Sequence, residues 1–136
     1  MPKILAIALV ILTAVTGCAA EPFAKIDGLG GRKADFERSS VRILAVDGQA
    51  YFDSLPFRDV EPGVHTVTFL PVYPGVNELA DRQTIVMDFK PCIRYTFYAS
   101  TPQPRRPRDW TIKQGRTAPI SGCDASRYVP NEVVEP

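Results

Sequence analysis

The sequence has one histidine, one tryptophan, two methionines and three cysteines in 136 residues. A lone histidine and the lack of any Cys-x-x-Cys pair leave too few ligands for a zinc site, so no metal is expected, and no cofactor. Charge of one sign is missing as well: 16 Lys+Arg stand against 15 Asp+Glu. Phosphate binding along a nucleic acid needs a basic excess gathered on one surface, so this balance gives no support for a nucleic-acid partner. Nor does any segment carry an apolar stripe at helical spacing over three turns, although "GVNELADRQ" could form a single turn.

Prolines are abundant instead, thirteen of them, and the apolar residues fall into two unlike regions. The first is the N-terminus, where Lys3 precedes an uncharged run from Ile4 to Val15. A short positive segment, an apolar core and then small residues are the three parts of an export signal. Twelve such residues span roughly 18 Å as a helix, too short for a hydrocarbon core about 30 Å thick. A cleaved signal over residues 1–17 is therefore the expectation, not a membrane-spanning anchor.

The run ends in Val15-Thr16-Gly17-Cys18, which resembles the bacterial lipoprotein signal: an aliphatic residue, two small residues and a cysteine. The resemblance implies diacylation of the Cys18 thiol, cleavage before it, and often a third chain on the new amino group. One acyl chain holds a protein weakly, whereas two or three hold it stably. Cys18 is thus expected to be an anchor, and the membrane its partner through those chains. The residue after it is Ala19, not the aspartate that in the enterobacterial pattern retains such proteins in the inner membrane, so the periplasmic face of the outer membrane is the expected address.

With Cys18 acylated, Cys92 and Cys123 remain. An oxidising envelope favours joining them; the alternative is two free buried thiols. Loss of Lys3 with the signal brings the basic residues down to the number of acidic ones, and a mature chain of about 120 residues suits one small domain.

Residues 18–40, including "AAEPFAKIDGLGGRKADFERSS", read as a lipidated N-terminus and flexible linker. Gly28, Gly30 and Gly31 match no nucleotide fingerprint, because no strand is expected before them and no Gly-Lys-Ser/Thr follows. From Val41 the pattern changes to period two. "VRILAVDGQAYF" sets Val41, Ile43 and Ala45 on one side and predicts a hairpin at Asp47-Gly48, with Ala50 and Phe52 beyond it. "EPGVHTVTFLPVY" alternates Val64, Thr66, Thr68 with His65, Val67, Phe69. "RQTIVMDFKP" sets Ile85, Met87 and Phe89 inward, and "CIRYTFYAST" alternates Ile93, Tyr95, Phe97, Ala99 with Arg94, Thr96, Tyr98. "DWTIKQ" sets Trp110 and Ile112 against Thr111 and Lys113, with Gly115 after it. Many short strands with frequent turn signals predict a single all-β antiparallel sandwich over residues 41–128, followed by a tail at 129–136.

The stretch "VDGQAYFDSLPFRDVEPGVHTVTF" resembles the hairpin grammar of PEGA-type and transthyretin-like envelope modules: a Val-Asp-Gly turn, a polar gap, then Pro-Gly-x-His-x-Val opening the next strand. The resemblance implies a sandwich serving for adhesion, spacing or binding, without catalytic residues.

Among chemistry-bearing residues, His65 follows a turn inside a strand with no serine or cysteine motif beside it, which favours a structural role. Asp47, Asp53, Asp59 and Glu61 sit where acids commonly cap turns. In "TPQPRRPRDW" three prolines enforce an extended loop that concentrates Arg105, Arg106 and Arg108 next to Trp110. That group is the candidate for contact with an anionic lipid or an envelope protein partner, the competing reading being a solubilised loop whose tryptophan is core. Tyr51, Tyr73, Tyr95, Tyr98 and Tyr128 could form a glycan platform but show no regular exposed spacing. The expectation is a non-enzymatic structural or interaction module; the alternatives are a lipoprotein subunit of a secretion or transport machine, and a cell-wall or glycan-binding protein or hydrolase.

Overall fold

A computed structural model of the chain describes residues 20–31, 37–73, 75–101 and 109–130. The described residues form nine strands in two sheets and contain no α-helix, only a 3-10 turn at Ala125–Arg127. Sheet II is assembled from one stretch of chain: β3 (Val41–Val46), β4 (Gln49–Ala50), β6 (Gly63–Pro71) and β7 (Gln83–Phe89), in the order β4-β3-β6-β7 and all antiparallel. Sheet I draws on the rest: β1 (Ala24–Asp27), β2 (Arg38–Ser39), β5 (Phe57–Val60), β8 (Ile93–Ser100) and β9 (Thr111–Pro119). There β1 lies between β5 and β8, and β9 and β2 also pair with β8.

The expected hairpin forms at Asp47 and Gly48, whose φ values of 49° and 78° are those of a primed turn matched to strand twist. Its strands deviate from strict alternation. The β3–β6 register shifts between Ile43 and Ala45, so Val41, Ile43 and Val46 are buried while Ala45 is only half-buried. One extra residue in a strand reverses the faces beyond it, which simple period-two counting cannot register. Phe52, expected to face inward, leaves the strand after Ala50 and is 97% exposed. A second shift, opposite Tyr95 to Phe97, lets β9 run on through Gly115 to Pro119, where the strand was expected to stop.

Between the sheets the inward residues behave as their alternation requires. Phe69 of sheet II meets Phe97 of sheet I at 4.9 Å between ring centroids, and Phe89 meets Tyr95 edge-on at 5.1 Å. Val67, Ile26 and Trp110 complete the same core. Each large apolar side chain of this kind contributes about 1.5–3 kcal/mol on burial.

Two expectations are corrected. The linker assigned to residues 18–40 contains β1, which enters the middle of sheet I with Ala24 and Ile26 fully buried. Its glycines serve close approach, not flexibility: a Cβ on Gly28 would collide with the carbonyl oxygen of Val41, and one on Gly30 with that of Phe97. Gly28 N donates to Pro56 O at 2.8 Å and Gly30 N to Phe97 O at 3.0 Å, so a strand does precede these glycines, and their amides are spent within the fold. The sandwich is also not purely antiparallel, since β1 runs parallel to β8 over Lys25 to Asp27. The strand β5, within the segment read as a polar gap, pairs with β1.

Candidate interaction surface and anchor region

The disulfide joins Cys92 to Cys123 with Cα atoms 5.4 Å apart. Cys92 lies in the turn before β8 and Cys123 just beyond β9, so the bond closes the base of that hairpin. The start of β1 is fastened to the same point: Phe23 O accepts from Cys92 N at 2.7 Å, while Cys92 O accepts from Ile120 N at 2.8 Å. Ala20, Glu21 and Phe23 therefore lie at the covalently closed corner of the sandwich, beside Gly122 and Cys123.

Cys18 and the arginines Arg105, Arg106 and Arg108 lie outside the described residues. Trp110, grouped with them by sequence, is a described residue and belongs to the core. It is 2% exposed, its Nε1 donates to Asp81 O at 2.7 Å, and its own carbonyl accepts from the side-chain amide of Gln83. Gln83 also accepts from Ile112 N at 3.0 Å, so one glutamine clips the edge of sheet II to the first residues of β9. Tryptophan is core here, and it cannot stack on an external ligand.

His65 is engaged on both sides of its ring. Nδ1 lies 2.6 Å from Asp47 Oδ2 and Nε2 lies 2.7 Å from Glu61 O. Asp47 Oδ1 also accepts from Thr66 N at 2.8 Å. The hydrogen bond from His65, followed by that from Thr66, holds the Asp47 carboxyl below the usual carboxylate range. The group staples the β3–β4 turn to β6 and leaves no ring nitrogen for a substrate.

Asp53 and Asp59 are similarly occupied. Asp53 accepts from Leu55 N and pairs with Arg58, which lowers its pKa, and Arg58 stacks on Tyr51 at 4.0 Å. Asp59 pairs with Lys25 at 3.4 Å. Among the described residues no cluster of three or more His, Cys, Asp or Glu is placed to hold a metal ion. An open groove of about 450 Å³ lies beside the β6–β7 connection between Arg42, Leu70, Pro71, Val72, Tyr73, Val76 and Glu78. It is lined mainly by aliphatic side chains.

Sequence reasoning did not find the outer face of sheet I. Burial of Tyr95, Phe97 and Ala99 turns Arg94, Thr96 and Tyr98 outward on β8. Register then sets Lys25 beside Arg94, Lys113 opposite Tyr98, and Arg38 opposite Ser100. The Arg38 guanidinium lies 4.8 Å from the Tyr98 ring centroid. These cations come from four strands spread over nearly ninety positions of chain, and no local window contains them together.

No protein-family model matches the chain, and no curated protein or solved structure matches it.

Proposed function

We propose that the protein is a lipid-anchored lipoprotein of the bacterial outer membrane, a non-enzymatic β-sandwich held by acyl chains on Cys18 at the periplasmic face, where it acts as a structural or interaction module. The observation that carries this reading is the cysteine that ends the uncharged apolar run, Val15-Thr16-Gly17-Cys18. The disulfide supports it: Cys92 and Cys123 are joined to each other, an arrangement suited to an oxidising compartment, and Cys18 is left as the third thiol. Support for a binding role over a catalytic one comes from His65, Asp47, Asp53 and Asp59, each tied into the fold by neighbouring groups.

Mass spectrometry of the protein extracted from membranes with detergent tests the anchor. The expected result is a mature chain beginning at residue 18 with diacylglyceryl on the sulfur. An unmodified Cys18, or a chain recovered in the aqueous fraction without detergent, would refute it. A hydrolytic activity abolished by His65→Ala in a protein that still folds would overturn the non-enzymatic reading.

A further inference from the structure

We infer that the outer face of sheet I docks flat on the anionic headgroup layer of the membrane that holds Cys18; the inference rests on the acylation proposed above. Were residues 18–40 a free tether, the domain could wander roughly 75 Å from its anchor, at about 3.3–3.6 Å per extended residue. With Phe23 already bonded to Cys92 and Ala24 in the sheet, only four residues separate the anchor from Phe23, a reach of roughly 17 Å over the intervening backbone. A domain on so short a leash remains close to the headgroups and must present some surface to them.

Charge selects the surface. The outward positions of β8 and β9 carry Arg94 and Lys113, with Arg38 and Lys25 on the strands flanking β8, and no acid stands at an outward position of β8 or β9. Acids do share the wider face: Asp59 is paired with Lys25, Asp27 accepts from Leu29 N at 2.9 Å, and Glu37 adjoins Arg38. Tyr98 lies among the cations, and Phe23 and Phe57 lie 5.8 Å and 5.2 Å from Lys25 Nζ. Aromatic rings beside basic side chains suit the polar boundary of a bilayer. The opposite face is less basic: Arg42 on β3 is exposed there, but the outward residues of β6 and β7 include Val64, Thr66, Thr68, Thr84, Val86 and Asp88.

The test uses the acylated full-length protein in vesicles of phosphatidylcholine with or without phosphatidylglycerol. A single fluorophore is attached through Thr111→Cys on the sheet I face or Thr66→Cys on the sheet II face, and a lipid-borne quencher reports proximity. Stronger quenching at 111 than at 66, dependent on phosphatidylglycerol and weakened by salt, is expected. Arg94→Gln and Lys113→Gln should each lower the docked-to-undocked ratio about five-fold, from the usual attraction of one basic residue to an anionic leaflet. Equal quenching at both positions, or a preference for 111 unaffected by the anionic lipid, overturns the docking. Protection of 111 in native membranes without quenching in vesicles would replace the lipid with an acidic protein surface and also overturn it. Mass measured on the same preparation separates these results from loss of the anchor: an unacylated Cys18 overturns the anchor and the leash together, whereas an acylated protein that fails the quenching test loses only the docked face.

Discussion

Sheet II is woven from the stretch between Val41 and Phe89, which lends only β5 to the other sheet, each strand beside one close in sequence, whereas sheet I gathers strands from Ala24 to Pro119 and includes a parallel pair. The contrast extends to the outer surfaces: threonine and valine cover much of sheet II, and arginine, lysine and tyrosine much of sheet I. Local pairing is announced by turns and alternation in the sequence, so sheet II can be read in advance. Distant pairing leaves no such mark, and the surface with the more distinctive chemistry is the one built from distant pieces.

The largest test of whether the sheets form one cooperative unit is Trp110→Ala. Its indole belongs to the entrance of β9 yet donates to Asp81 ahead of β7, and truncation should cost about 4 kcal/mol in urea unfolding, with a single transition for both sheets. Replacing Cys92 and Cys123 by serine should cost about 3.5 kcal/mol for a loop of this length. By hydrogen exchange, protection should fall more in β1, β8 and β9 than in β6 and β7, because the bond closes a corner of sheet I. Ile26→Ala is expected to cost about 3 kcal/mol, against less than about 0.5 kcal/mol for the exposed Leu29→Ala. Equal and negligible effects would restore the tether reading of this segment. The smallest effect concerns Asp47 in the hairpin of sheet II. Its folded-state pKa is depressed below 3.8, so its stabilisation is fully present above that value and is lost as pH falls through the folded value. Asp47→Asn should flatten that acid-side loss in a pH series of unfolding curves, by less than about 1 kcal/mol because the carboxylate is half-exposed and screened.

Much of the interior was legible from alternation. Val67 and Phe69, Tyr95, Phe97 and Ala99, and Trp110 with Ile112 all lie on the side that period two assigned them. The failures share a physical cause. Four residues of β1 are too few to display a period, and three glycines next to them read as freedom when they permit backbone approach. At Leu44 a bulge reverses the faces, because one added residue changes parity and nothing in the composition of β3 marks the site. For the candidate surface, adjacency groups the arginines with Trp110, but burial removes the tryptophan, and Arg94 and Lys113 share one face only through the β8–β9 pairing.

The sequence alone determined the all-β class, the hairpin at Asp47-Gly48 and the alternating core strands, since these follow from contacts between near neighbours and from the two-residue repeat of a pleated chain. Tertiary structure decided that the four residues ahead of the glycines form a central strand and that cations from four separate strands share one face. Those outcomes depend on which distant backbones pair and in what register, and hydrogen bonds between such segments are chosen by the packing of the whole fold.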